Sequence, residues 1–272
     1  GRAVLHDRSL EAAAAGLGAD GDAWRGLFGP LAADWPKLEE DVLRPLLHWP
    51  RHPVALARFG LSALPSAAHL ARSRFRTTEA RALFAGHAAH SLLALERPAS
   101  ASFALVLGTL AHRVGWPFPR GGAGRITAAL AGYLRSLGGE IETGRRVTAL
   151  GELPASRHVV LDLTPRQTLE IADGSLPRRV RRALERYRYG AAAFKVDWAL
   201  DGPIPWESAD CARAGTVHLG GTLEEIARGE RAVSEGRLPE APFVLLAQHS
   251  LFDPTRAPEG RHCLLYTSDA AD

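Results

Sequence analysis

Hydrophobic period changes along this chain, and that change restricts its fold more than any other feature. From Ser9 to about Leu95 the apolar residues recur at helical spacing, whereas Phe194, Val196, Trp198 and Leu200 alternate with Lys195, Asp197 and Ala199. A period near 3.6 puts one stripe of a helix into a core, and a period of 2 puts one face of a strand there. The chain is therefore expected to join a helical section to an antiparallel sheet with one wet face. Two partners for that first strand are expected at Thr216–Leu219 and Phe243–Ala247.

Gly and Pro divide the helical section into several short helices. Ser9 caps a first through Ala15, Asp20 or Asp22 a second through Phe28 and Leu31, and Thr77 a third, because a short polar side chain accepts an orphan amide of the first turn. Pro45, Pro50 and Pro53 predict a bent connection from Leu43 to Pro53. Trp24, Phe28, Trp35, Trp49, Phe59, Phe75 and Phe84 are expected to cement the helix packing.

A third pattern begins at Gly121-Gly122-Ala123-Gly124. It opens a helix, Arg125–Leu137, with Ile126, Leu130, Tyr133, Leu134 and Leu137 on one face and Gly138-Gly139 as its stop. Extended pieces are expected at Glu140–Thr143, around Val147 and at Val159–Leu161, the last apolar enough for a strand buried on both faces. Together these predict an α/β layer.

Charge narrows the partners. The chain has 33 basic and 30 acidic residues, yet Lys37 and Lys195 are its only lysines, and Asn and Met are absent. GC-rich coding favours Arg, Ala, Gly and Pro, so the basic balance is read as codon usage and no nucleic-acid partner is expected. No apolar run approaches the roughly 18 residues of a membrane span. Two cysteines, Cys211 and Cys263, build no disulfide scaffold and suit a reducing compartment.

Several short motifs carry no chemistry on their own. Gly16-Leu17-Gly18-Ala19-Asp20-Gly21 matches G-x-G-x-x-G, but alanine-rich helix precedes it where a dinucleotide site needs a strand. His87 and His90 share a helix turn without an acidic or thiol partner, so they are read as packing or surface residues and no metal site is expected. Cys211 lacks a nearby His, and no G-x-S-x-G elbow is present. Arg178–Arg186 forms a basic amphipathic helix.

The run PFPRGGAGRITAALAGYLRSLGGEIETGRRVTAL, followed by HVVLDLTP, resembles the phytoene desaturase-like branch of the FAD-dependent oxidoreductases, within the amine-oxidase-type flavoproteins. Gly121, Gly122, Gly138, Gly139, Val147 and Pro165 carry the likeness, which extends over residues 1–262. It implies a partial Rossmann-like FAD/NAD(P)-binding domain joined to a helical and antiparallel-sheet substrate domain. The corresponding division is 1–115 helical substrate-side body, 116–170 FAD-binding α/β part, and 171–262 substrate domain with the sheet.

The implied chemistry is dehydrogenation of a hydrophobic, isoprenoid- or carotenoid-like molecule, with FAD supplying the redox step. The resemblance gives Val147 a backbone contact to the cofactor adenine and places Gly121 and Gly122 in the cofactor turn; Trp116 and Phe118 are expected at the substrate cavity. No catalytic residue is assigned. The family's strand-borne G-x-G-x-x-G and its C-terminal flavin segment have no counterpart here, so this interior stretch is expected to bind FAD weakly or not at all and to be inactive alone. A cytoplasmic location is expected, with peripheral membrane contact open. The final CLLYTSDAAD, residues 263–272, resembles a translated sequencing adapter and is expected to be a non-native tail. The competing reading is a non-enzymatic module that binds an anionic surface through Arg178–Arg186.

Overall fold

Helix caps set the architecture of the first 125 residues. In the computed structural model, which describes residues 2–45, 47–172 and 174–270, the Ser9 hydroxyl accepts the Ala12 amide and starts α1 (Leu10–Gly16). Thr77 does the same for α5 (Thr78–Ala89) through Ala80, and Ser66 for α4 (Ala67–Arg74) through His69. Asp20 precedes α2 (Gly21–Val42) but does not cap it. Its buried carboxylate instead accepts the Arg76 and Thr77 amides and the Thr77 hydroxyl at 2.6–3.0 Å. That ties the start of α2 to the start of α5.

The second helix, expected through Phe28 and Leu31 in a section cut short by Gly and Pro, instead runs on through Pro30 and Pro36 to Val42. An interior proline costs about 3 kcal/mol. Trp24, Leu27, Phe28, Leu31, Trp35 and Leu38 are all buried on this helix at i, i+3, i+4 and i+7 spacing, and at roughly 1.5–3 kcal/mol per large apolar side chain their burial outweighs the prolines.

The connection after α2 is bent as predicted. Asp41 accepts the Arg51 and His52 amides at 2.8 and 2.9 Å and the His48 ring at 3.1 Å. Those bonds, the Arg51 amide foremost, hold its carboxyl at about 2. Trp49 is not core: it is 91% exposed beside Leu47 at 98%, because the proline-rich bend carries both away from the helices. The remaining six predicted aromatics are buried. α3 (Pro53–Ala63) and α6 (Ala101–Arg113) complete the helical body.

The chain divides into two units. The first comprises residues 1–125 and 191–272. Beyond the helices it holds β1 (Ala192–Leu200), β2 (Thr216–Leu219), β3 (Val244–Ala247) and β4 (His262–Ala270), an antiparallel sheet of order β1-β4-β3-β2. β4 includes the segment that resembles an adapter, and it is a central strand: Tyr266 lies opposite Val196 on one side and Leu246 on the other. Among the described residues β1 pairs only with β4, not with the expected partners at 216–219 and 243–247, which pair with each other as β2 and β3, and Phe194 and Trp198 stay more than half exposed.

The other unit, residues 126–190, contains all but the start of α7 (Gly124–Ser136), then α8 (Pro165–Ala172) and α9 (Arg178–Glu185). α7 ends as the glycines require: Gly138 adopts φ +83°, and the Gly139 amide reaches back to the Leu134 carbonyl at 3.0 Å. The apolar face of α7 is nevertheless exposed, and so is Val160, at 93%. The strands expected at 140–143, around 147 and at 159–161 do not form. A strand persists only when a neighbour takes its amides and carbonyls, and no described residue pairs with these. The α/β layer expected at 116–170 is therefore absent among the described residues, and the chain is of mixed α+β class. No single helix among the described residues is long and apolar enough to cross a membrane.

The last helix of the first unit, α10 (Leu223–Ser234), starts in a capping box of Thr222 and Glu225. Its Leu223, Ile226 and Ala227 share one core with Phe84, Ala88 and Phe243, which joins the sheet to α5.

Packing here is tight enough to test with glycine. A Cβ on Gly108 of α6 would lie 2.4 Å from the buried Phe28 ring, whereas one on Gly60 of α3 would meet nothing within 4 Å. Gly60→Ala is expected to stabilise the fold by up to about 1 kcal/mol through helix propensity. Gly108→Ala is expected to cost about 1–3 kcal/mol despite the same gain. Urea unfolding of both variants measures the contrast.

Candidate functional site

A neutral imidazole carries one donor and one acceptor, so histidines can be buried together only if their ring nitrogens are paired in a consistent direction. The first unit gathers five. His87 and His90 lie in the last turn and cap of α5, His112 in the last turn of α6, His218 on β2, and His6 on the extended segment before α1.

The pairing can be followed from its outer end. His112 Nδ1 lies 3.2 Å from the Arg8 carbonyl, which only accepts, so Nδ1 carries the hydrogen. Its Nε2 is then an acceptor, and the indole N–H of the buried Trp24 donates to it at 3.0 Å. His6 Nε2 lies 3.0 Å from the same Nε2, so Trp24 and His6 crowd a single lone pair there. His6 Nδ1 and His87 Nε2 lie 2.9 Å apart, one donating and the other accepting. At the inner end His87 faces the Leu83 carbonyl, which again only accepts, while its buried Nδ1 makes no hydrogen bond of standard geometry. Nearby, His90 and His218 are paired through their Nε2 atoms at 3.1 Å, and the His218 ring abuts Gly86.

Burial is the main reason all five rings stay uncharged. It lowers His6 to about 3, with help from His112, and His218 to about 3, with help from His90. It drives His87 far below the ordinary value, with the other imidazoles adding to the effect and the Leu83 carbonyl opposing it. His90 is lowered by burial alone, and His112 by burial against the opposing Arg8 carbonyl and Asp7.

The residues expected from the sequence fall in three places. Trp116 packs on the cluster, its ring 5.3 Å from His87 and 6.1 Å from His6, and its indole donates to the Leu107 carbonyl at 3.3 Å. Phe118 meets His249 edge-on at 5.9 Å. Gly121 and Gly122, at φ +81° and +93°, form the turn before α7. The Gly121 amide donates to Asp253 at 2.6 Å and its carbonyl accepts from Arg256 at 2.9 Å, while Arg256 fills the space a Cβ on Gly122 would need. Phe118 and the glycine turn thus share the segment His249–Arg256, and Trp116 joins the histidines. Val147 lies in irregular backbone of the other unit.

These residues do not form a cradle for FAD. A carboxylate already occupies the Gly121 amide, the Gly122 amide is spent on the Pro119 carbonyl at 2.9 Å, and no strand carries Val147.

His87 and His90, expected as packing or surface residues, are buried and half-buried respectively, and each has a distant imidazole partner that the expectation does not include. His6, His112 and His218 stand 81 residues or more from the rings they pair with, and no local spacing announces them. No group of three or more metal-ligating side chains with suitable geometry occurs among the described residues. No family model matches the chain, and no curated protein matches its sequence.

The cluster makes stability depend on pH with a defined sign. A histidine neutral in the fold but free to ionise when unfolded gives the unfolded chain the greater proton uptake, so stability is fully present above about pH 6.5 and is lost as pH falls from there toward about 3. Each such group removes about 1.4 kcal/mol per pH unit inside that window. Unfolding free energy from urea titrations is expected to drop by more than one group's worth between pH 6 and 5. A flat profile would contradict neutral burial.

Proposed function

We propose that this chain is the substrate-side body of an FAD-dependent oxidoreductase of the phytoene desaturase-like kind, acting on a hydrophobic, isoprenoid-like molecule. The observation that carries the reading is the order running from Trp116 to Gly139. A left-handed glycine turn is followed by an apolar-faced helix and a Gly-Gly stop, the order that carries the resemblance, and Trp116 precedes it over a buried polar cluster. In this reading Trp116 and Phe118 present aromatic surface to the substrate, which suits a molecule without charge. The Asp253–Arg256 clasp holds the glycine turn.

A peripheral lipid contact belongs to the same proposal. Leu43, Leu47, Trp49, Val54, Leu61 and Leu64 are all at least two-thirds exposed, and a hydrophobic substrate would be drawn from a membrane. The competing anionic-surface reading has one point in its favour: no arginine of α9 is ion-paired among the described residues.

Equilibrium binding of a C20 or longer isoprenoid in dilute detergent tests the proposal. The purified chain is expected to bind it, with Trp116→Ala weakening affinity about tenfold, the order expected from loss of one aromatic contact. It is expected to retain no stoichiometric flavin absorbance. Absence of binding, or binding indifferent to Trp116, would overturn the substrate assignment. Salt-sensitive vesicle binding lost on neutralising the α9 arginines, with no isoprenoid bound, would favour the alternative.

A further inference from the structure

We propose that β1 is a self-association edge: a second copy of this chain pairs with it antiparallel about a two-fold axis through Val196, joining two sheets into one. This goes beyond the flavoenzyme reading and does not rest on it. β1 lies at the end of the strand order and keeps its ladder with β4 unbroken from Ala192 to Leu200. No described residue bonds to the backbone on its outer side. Such a row of amides and carbonyls is a template for another strand, and folds blunt it with proline, a bulge, lysines or a covering segment. β1 has no proline and no bulge, seven of its nine residues are exposed, and Lys195 is its one lysine.

What selects a second copy as the occupant is an order of charges and rings that reads alike from both ends, Phe194-Lys195-Val196-Asp197-Trp198. In an antiparallel pair centred on Val196, Lys195 stands opposite the partner's Asp197, and Phe194 opposite the partner's Trp198. Residues so placed have Cβ atoms about 4.5–5.5 Å apart, and opposite charges or aromatic rings there attract. Lys195 Nζ already donates to Asp197 at 2.9 Å, with half or more of each side chain still exposed, so pairing closes a ring of four alternating charges. On the other face Leu246, Tyr266 and Val196 stand in one cross-strand row, which the two-fold continues through the partner's Val196. Phe194 and Trp198 flank that row on the same face and gain ring partners.

Charge also fixes the register. Centring the pair on Lys195 sets lysine against lysine, and centring it on Asp197 sets aspartate against aspartate, both of which destabilise. Centring on Val196 pairs the whole strand, Ala192 with the partner's Leu200, and the isologous contact closes at two copies.

Sedimentation equilibrium of the full chain at micromolar concentrations tests the proposal. The wild type is expected to reach twice the mass of one chain. Lys195→Asp and Asp197→Lys each set like charges opposite one another, and each variant alone is expected to weaken the dimer about tenfold or more. Mixed in equal amounts, the two are expected to recover it, because two carboxylates on one chain then face two ammonium groups on the other. Val196→Cys is expected to cross-link to itself under mild oxidation and Phe194→Cys is not, because position 196 alone meets its own copy. A wild type that stays monomeric, a dimer indifferent to both charge variants, or folded variants whose mixture stays monomeric would overturn the proposal. So would a mass that climbs past two copies, the mark of β1 pairing with β2 of the next chain in an open series. The wild-type mass and the Val196→Cys cross-link decide the matter even if a charge variant does not fold.

Discussion

The pairing of neutral imidazoles is the constraint on which the first unit turns. Each ring offers one hydrogen and one lone pair, so a buried group of them is tolerated only when every hydrogen meets an acceptor. That requirement links the segment before α1, the ends of α5 and α6 and strand β2 at one place. Trp24 donates into it at His112, and the same indole lies in the aromatic column with Phe28 and Phe75 that fills the helical body. Core packing and site chemistry therefore share a residue, and a change at Trp24 would disturb both.

Around that centre the fold is held by buried carboxylates used as fasteners. Asp20 binds the backbone where α5 begins, and Asp41 binds the proline-rich bend. Both are acceptors for backbone amides that have no other partner, and losing a buried acceptor of this kind costs about 1–3 kcal/mol. Asp253 performs the same service for the Gly121 turn. The molecule thus satisfies its irregular backbone with acidic side chains and pairs five of its histidines with one another.

Local signals in the sequence were strong wherever a side chain acts on its own neighbourhood. Ser9 and Thr77 capped their helices, Gly138 stopped α7, and the alternation at Phe194–Leu200 gave β1. Thr222-x-x-Glu225 is an equally clear local start signal, that of α10. What failed depended on distant partners. α2 continued through two prolines because burial of its own apolar face against other helices outweighs them, Trp49 swung outward with its bend, and the expected strands at 140–161 stayed irregular for want of a neighbour. The candidate site was legible only in part: Trp116 and the His87/His90 pair could be seen, whereas His6, His112 and His218 arrive by long-range folding.

The account stands on the neutral pairing of the clustered histidines, and neutron diffraction from deuterium-exchanged crystals at neutral pH measures it. It should place one deuterium on each of the His6, His87, His90, His112 and His218 rings, that of His112 on Nδ1 toward the Arg8 carbonyl. Two deuteriums on any of these rings, or a metal ion or chloride seated among them in place of the direct contacts, would contradict it.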